Sequence, residues 1–145
     1  MISKFEDLPV WQDSRVLTRQ IYELTRSSVF DKDYRLKGQL RGSSLSMMSN
    51  IAEGYEYEST KQFIRYLNIA KGSSGELRSQ LYVAMDAKYI DSSKMNELKD
   101  QATSISKQCA GLIKYLKGYD QNDNIVKEYD SERFLDVINE YYNKI

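Results

Sequence analysis

The run Gln39–Leu81, QLRGSSLSMMSNIAEGYEYESTKQFIRYLNIAKGSSGELRSQL, constrains this chain more than any other part of it. Leu36, Leu40, Met47, Ile51 and Tyr55 recur by fours and a seven, and Phe63, Leu67, Ala70, Leu77, Leu81 and Met85 continue the pattern. Recurrence of that kind puts one apolar face on each of two helices with 3.6 residues per turn. Between them, Ser59 and Gln62 stand at the spacing of a capping box, and Gly54 is placed to relieve the end of the first helix. A helical hairpin is expected.

Beside the apolar stripe the residue types change. Gly42, Ser43, Ser46, Ser49, Asn50 and Glu53 share one flank of the first helix, and Ser73, Glu76 and Gln80 share one flank of the second. Either these are solvated side chains of a surface helix, or the flank is covered and its polar groups pair with one another. Small residues permit close helix approach, and covered polar groups need partners, which favours the covered flank.

The remaining chain extends the pattern to an all-α, antiparallel up-down-up-down four-helix bundle with a short extra C-terminal helix. Helices are expected near residues 11–28, 34–56, 60–88 and 92–117. Pro9 suits a helix entrance, while Asp33 and the Asp91-Ser92-Ser93 group are capping residues. The expected core comprises Leu17, Ile21, Leu24, Leu40, Met47, Ile51, Phe63, Leu67, Leu77, Leu81, Leu98, Ile105, Cys109 and Leu112. Gly72 and Gly75 each cost roughly 1 kcal/mol of helix propensity relative to Ala. A break there would offer backbone amides to an anion, but the apolar period crosses both glycines in phase, which favours one continuous helix. Gly118 and the polar run Asp120–Asn124 are expected to end the bundle. The chain thus divides into a bundle, residues 1–119, and an acidic tail, residues 120–145. In the tail, Phe134, Leu135, Val137, Ile138, Tyr141, Tyr142 and Ile145 suffice for a short amphipathic helix that Ser131 can cap.

Charge and composition narrow the function. Basic and acidic residues number 21 each, yet residues 1–119 hold 18 basic and 14 acidic side chains against 3 and 7 in residues 120–145. The neutral total therefore conceals a basic body and an acidic tail. A single cysteine, Cys109, excludes an internal disulfide. The first residues hold no apolar signal core, and no apolar run approaches the roughly 18 residues of a membrane span, so a cytoplasmic protein with no membrane partner is expected. The chain has no histidine, which removes the usual bundle metal ligands, the His-dependent triads and the commonest general base. Glu53 and Glu76 alone supply too few oxygen ligands for a hard cation. Gly72-Ser73-Ser74-Gly75 lacks the Gly-Lys-Ser/Thr end of a phosphate loop. No catalytic residue, metal or cofactor is expected, and the reading is non-enzymatic.

Asn50-Ile51-Ala52-Glu53-Gly54, Ser59, Phe63, Leu67, Ala70-Lys71-Gly72-Ser73, Glu76-Leu77 and Gln80-Leu81 occur in a specific order. Phe5, Leu8, Val10-Trp11-Gln12 and Gln39-Leu40-Arg41 precede them, and Tyr89-Ile90 follows. Over about residues 5–117 this combination resembles the four-helix-bundle proteins related to the ribosomal-RNA intervening-sequence proteins. It departs from them at Gly42, Ser43 and Ser44, where a second basic residue and alanines are usual. The resemblance implies a ring of five, hence a homopentamer, with Asn50, Glu53, Ser73 and Glu76 as structural polar contacts within or between subunits. Some relatives are nucleic-acid-binding accessory proteins, including variability proteins of retroelements.

Two functional expectations follow. One is an oligomeric scaffold whose partners are proteins. The other is an RNA- or DNA-binding accessory protein using Arg15, Arg19 and Arg26, which form one stripe opposite the apolar face of the first helix, together with Arg41. Tyrosines, of which there are 12, and the lysines of the fourth helix, Lys99, Lys107, Lys114 and Lys117, suit the same chemistry. Neutral net charge and Glu23 beside the stripe weigh toward weak binding.

Overall fold

A computed structural model describes residues 1–122 and 131–145, without the side chains of 120–122 and 131–132. Five helices follow in order: α1 (Pro9–Leu24), α2 (Tyr34–Glu56), α3 (Thr60–Asp86), α4 (Ser92–Asn122) and α5 (Ser131–Lys144). Single 3-10 turns at Phe5–Asp7 and Ser28–Phe30 flank α1. Contacts join α1 to α2, α2 to α3, α3 to α4 and α4 back to α1. The four long helices thus form an up-down-up-down bundle, with the core between them and no strand among the described residues.

Local chemistry explains most of the ends. Pro9 occupies the first turn of α1, where its missing N–H is not needed. Asp33 caps α2 by accepting from Leu36 N at 3.1 Å, and Asp91 accepts from Lys94 N at 2.8 Å before α4. Ser59 caps α3 through a longer contact, 3.4 Å from Gln62 N. Gly72 and Gly75 lie inside an unbroken α3.

Four ends differ from expectation, beginning with the start of α1 at Pro9, two residues early. α1 stops at Leu24, four residues early, because the Arg41 side chain takes over there. Its Nη2 donates to Tyr22 O at 3.4 Å, a carbonyl that the helix end leaves free, and its Nε donates to the Thr25 hydroxyl at 2.8 Å. Leu24 is consequently half-buried while Thr25 is fully covered; the other expected core residues are all buried. α3 ends at Asp86, two residues short, and Lys88 follows with φ 63°. α4 passes through Gly118 to Asn122 and beyond the expected boundary after residue 119. Beyond the expected end, the Tyr119 hydroxyl accepts from Arg133 Nε of α5 at 2.8 Å, a tertiary contact on the added turn. Residues 123–124 of the expected stop, and the cap expected from the Ser131 side chain, lie outside the described residues.

Gly54 also differs, because α2 continues two residues beyond it and the turn is made at Glu58, φ 50°. A Cβ at Gly54 would lie 2.6 Å from Tyr66 Cβ and 3.1 Å from Phe63 Cδ2. Its missing side chain brings α3 against α2.

α5 packs on its own bundle. Phe134 meets Tyr55 and Phe63 edge to face, with ring centroids 5.4 and 5.7 Å apart. Asn139 pairs with the Ile2 backbone, accepting from Ile2 N at 2.7 Å and donating to Ile2 O at 2.9 Å. Buried hydroxyls tie the layers: Thr18 Oγ1 donates to Ser44 O at 3.1 Å, and Ser74 Oγ to Ala102 O at 2.7 Å.

Candidate functional site

The polar flank of α2 and α3 is half closed. Ser46 Oγ and Ser73 Oγ lie 2.8 Å apart across the two helices, and Asn50 Nδ2 donates to Ser46 O at 2.8 Å and Ser46 Oγ at 3.0 Å. Ser73 is buried and Asn50 partly so, so these two meet through Ser46, a residue of the flank outside the expected set of four. Glu53 and Glu76 stand outside this cluster, both exposed.

Farther along, Gly42 and Ser43 face Glu76 and Gln80 across a groove of about 480 Å³. Gln80 Oε1 is buried there without a hydrogen-bond partner. By helical position Leu45 lies beside Gly42, and Ile69 and Val83 lie beside Glu76. These three aliphatic side chains are 43%, 42% and 51% exposed. Small residues, two open carboxylates, an orphaned amide oxygen and exposed aliphatics therefore share one outer face.

The four arginines separate into two groups. Arg15 and Arg19 are exposed on α1, whereas Arg26, expected on the same helical stripe, is exposed in the turn beyond the helix end; none of the three forms an ion pair with a described carboxylate. Trp11 and Tyr22 interleave with them, the Arg15 guanidinium lying 5.9 Å from the Trp11 ring centroid. Arg41 is instead committed to the end of α1 and stacks 4.5 Å over Tyr22. Its contacts orient α2 on α1 and leave the planar group covered on one side.

Trp11 and Tyr22 are absent from the expected site, although each stands four residues before an arginine, the spacing at which helical side chains meet. The structure leaves both half-exposed.

Cys109 is fully buried, and burial pushes its thiol up to about 12. It therefore stays protonated and packs as a small apolar group. No three His, Cys, Asp or Glu side chains converge on a metal position among the described residues. No described helix is long and apolar enough to cross a membrane.

Comparison with known proteins adds a relationship to this geometry. The family model for the 23S rRNA-intervening sequence protein matches residues 6–111. The chain is also similar to a solved structure at 1.70 Å from Bacteroides thetaiotaomicron VPI-5482, a protein with unknown function from the S23 ribosomal protein family. The two share 25% identity with a TM-score of 0.66, over 72% of this chain and 98% of the other. No curated protein matches. α5 lies wholly beyond the family match.

Proposed function

This chain belongs to the 23S rRNA-intervening sequence protein family, and from that premise we propose that it is a non-enzymatic, cytoplasmic binding scaffold that assembles as a homopentamer. The observation that carries this reading is the outer face of α2 and α3. Leu45 remains exposed beside Gly42, and Ile69 and Val83 remain exposed beside Glu76. A neighbour laid on this face covers the aliphatics. An interface between unlike faces that closes by rotation produces a ring.

Light scattering at micromolar concentration tests the assembly. The expected mass is five times the 16.9 kDa chain; a monomer mass rules the ring out. Glu53→Ala is expected to retain its helical circular dichroism and lose the oligomer. A folded variant that stays pentameric gives Glu53 no part in the interface.

A second reading rests on a different observation, Arg15 and Arg19 of α1 with Arg26 just beyond its end, which no described carboxylate neutralises. It makes the protein an RNA- or DNA-binding accessory factor, of the intervening-sequence or retroelement type, and a ring would present the stripe several times over. Repetition of weak sites on one particle raises avidity.

Fluorescent RNA and DNA titrated with the full chain between about 50 and 200 mM salt provide the test, since phosphate contacts weaken steeply over that range. Each of Arg15→Gln, Arg19→Gln and Arg26→Gln is expected to lower the salt slope by about one. Absence of binding at the lowest salt ends this reading. The whole chain is required: a truncation after Tyr119 removes α5 and uncovers Tyr55 and Phe63.

A further inference from the structure

Between α4 and α5 runs a groove of about 580 Å³, within the usual size of small-ligand sites. Its floor is bare. Gly111 and Gly118 both line it, and a Cβ at Gly118 would meet nothing within 4 Å. At Gly111 the Tyr141 hydroxyl of α5 would lie 2.9 Å from an added Cβ, so the side chain across the groove reaches down to the α4 backbone.

Aromatic faces form the walls. Tyr115 of α4 and Tyr141 of α5 have ring centroids 5.3 Å apart, inclined at 48°, and the Lys144 ammonium lies over the Tyr115 ring, 5.3 Å from its centroid, so that one face of this ring is already covered. One turn after Tyr115, Tyr119 is held by Arg133 Nε through its hydroxyl. Charge is distributed unevenly along the rims. Lys144 is bonded to Glu140 at 2.7 Å, and this lysine, with Tyr115, holds the Glu140 carboxyl below the usual carboxylate range. Lys114 lies between the two glycines in the α4 sequence, is exposed, and pairs with no described carboxylate.

We propose that this groove binds a nucleotide, with the base laid over the glycine floor against Tyr115 and the phosphate on Lys114. Three features converge on that ligand class. A planar π system fits a tyrosine face above exposed backbone, and stacking of this kind tolerates any base. Lys114, which no described carboxylate neutralises, offers a cation to an anion at one rim. The ionised Glu140 at the other rim keeps lone pairs that suit the exocyclic amino group of adenine or cytosine, which a simple aromatic acid lacks. Because α5 supplies a wall and lies beyond the family match, the site does not follow from family membership, and it is independent of the α1 arginines. The same chemistry is presented by a free mononucleotide and by one residue of a single strand.

Titration of the full chain with AMP, adenosine and a 5′-phosphorylated adenosine hexamer, followed by calorimetry and tyrosine fluorescence, tests the assignment. AMP is expected to bind at least about tenfold more tightly than adenosine, a factor that corresponds to one lysine–phosphate contact. Gly118→Leu extends into the floor from a position where an added Cβ meets nothing within 4 Å, and should weaken AMP at least about tenfold with a melting temperature that does not fall, since a helical glycine is replaced by a better helix former. Lys114→Gln should abolish the preference for AMP over adenosine. Binding of the hexamer alone, weakened by Gly118→Leu, supports the site and identifies a strand as its source. The assignment is overturned if neither ligand binds, or if binding is indifferent to both variants. Hexamer binding that responds only to Arg15→Gln, Arg19→Gln or Arg26→Gln also overturns it and belongs to the α1 stripe, while loss of the α1 reading leaves AMP binding intact.

Discussion

Leu67→Ala will lower the free energy of unfolding by about 2–5 kcal/mol, the range for truncating a leucine in a packed core. Leu67 is fully buried in α3, the helix that contacts both α2 and α4 over its length. The cost joins lost transfer energy to a cavity that the surroundings refill only in part. Ser74 Oγ holds α3 to Ala102 O of α4 at 2.7 Å, and Ser46 and Ser73 hold it to α2, which opposes collapse from either side. Urea denaturation measures the effect through the shift of midpoint at constant slope. A change within about 0.5 kcal/mol, as surface substitutions give, would move this face of α3 out of the core.

Phe134→Ala will cost about 3–5 kcal/mol, with the loss concentrated in α5. Phe134 is 2% exposed and sits between the rings of Tyr55 and Phe63. Edge-to-face contact with two rings adds to the area it buries. α5 has 14 residues, a length at which an isolated helix is marginal in water. Removing its largest anchor should therefore release the helix and wet Tyr55 and Phe63 together. Hydrogen exchange distinguishes this from uniform weakening: α5 amides should lose protection before those of α3. Retained protection in α5 would assign its docking to Val137, Ile138 and the Asn139–Ile2 pair.

How far these features can be read from sequence depends on whether their cause is local. α2 was legible at both ends, because its cap at Asp33 is three residues from the amide it serves. The end of α1 was not, because the side chain that satisfies Thr25 comes from Arg41, sixteen residues away. Gly118 and Gly54 both invite reading as helix terminators. One is passed over because α5 lies alongside, and the other is a crossing point of two helices. The polar flank was recognisable as a pattern, and the Asn50–Ser46–Ser73 contact does cover part of it. Which serine would bridge the helices depends on how α2 and α3 rotate against each other. The docking of α5 was equally hidden, since it joins Asn139 to Ile2, 137 residues apart.

The contact at Gly54 restricts what can vary elsewhere. Alanine there would gain roughly 1 kcal/mol of helix propensity, yet its methyl would fall 2.6 Å from Tyr66 Cβ, an atom fixed to the α3 backbone that no rotamer change can withdraw. The propensity gain cannot offset separation of two packed helices. Positions 54 and 66 are thus coupled: a side chain can be admitted at the first only by surrendering one at the second, so substitutions in this hairpin are confined to joint exchanges of bulk between α2 and α3.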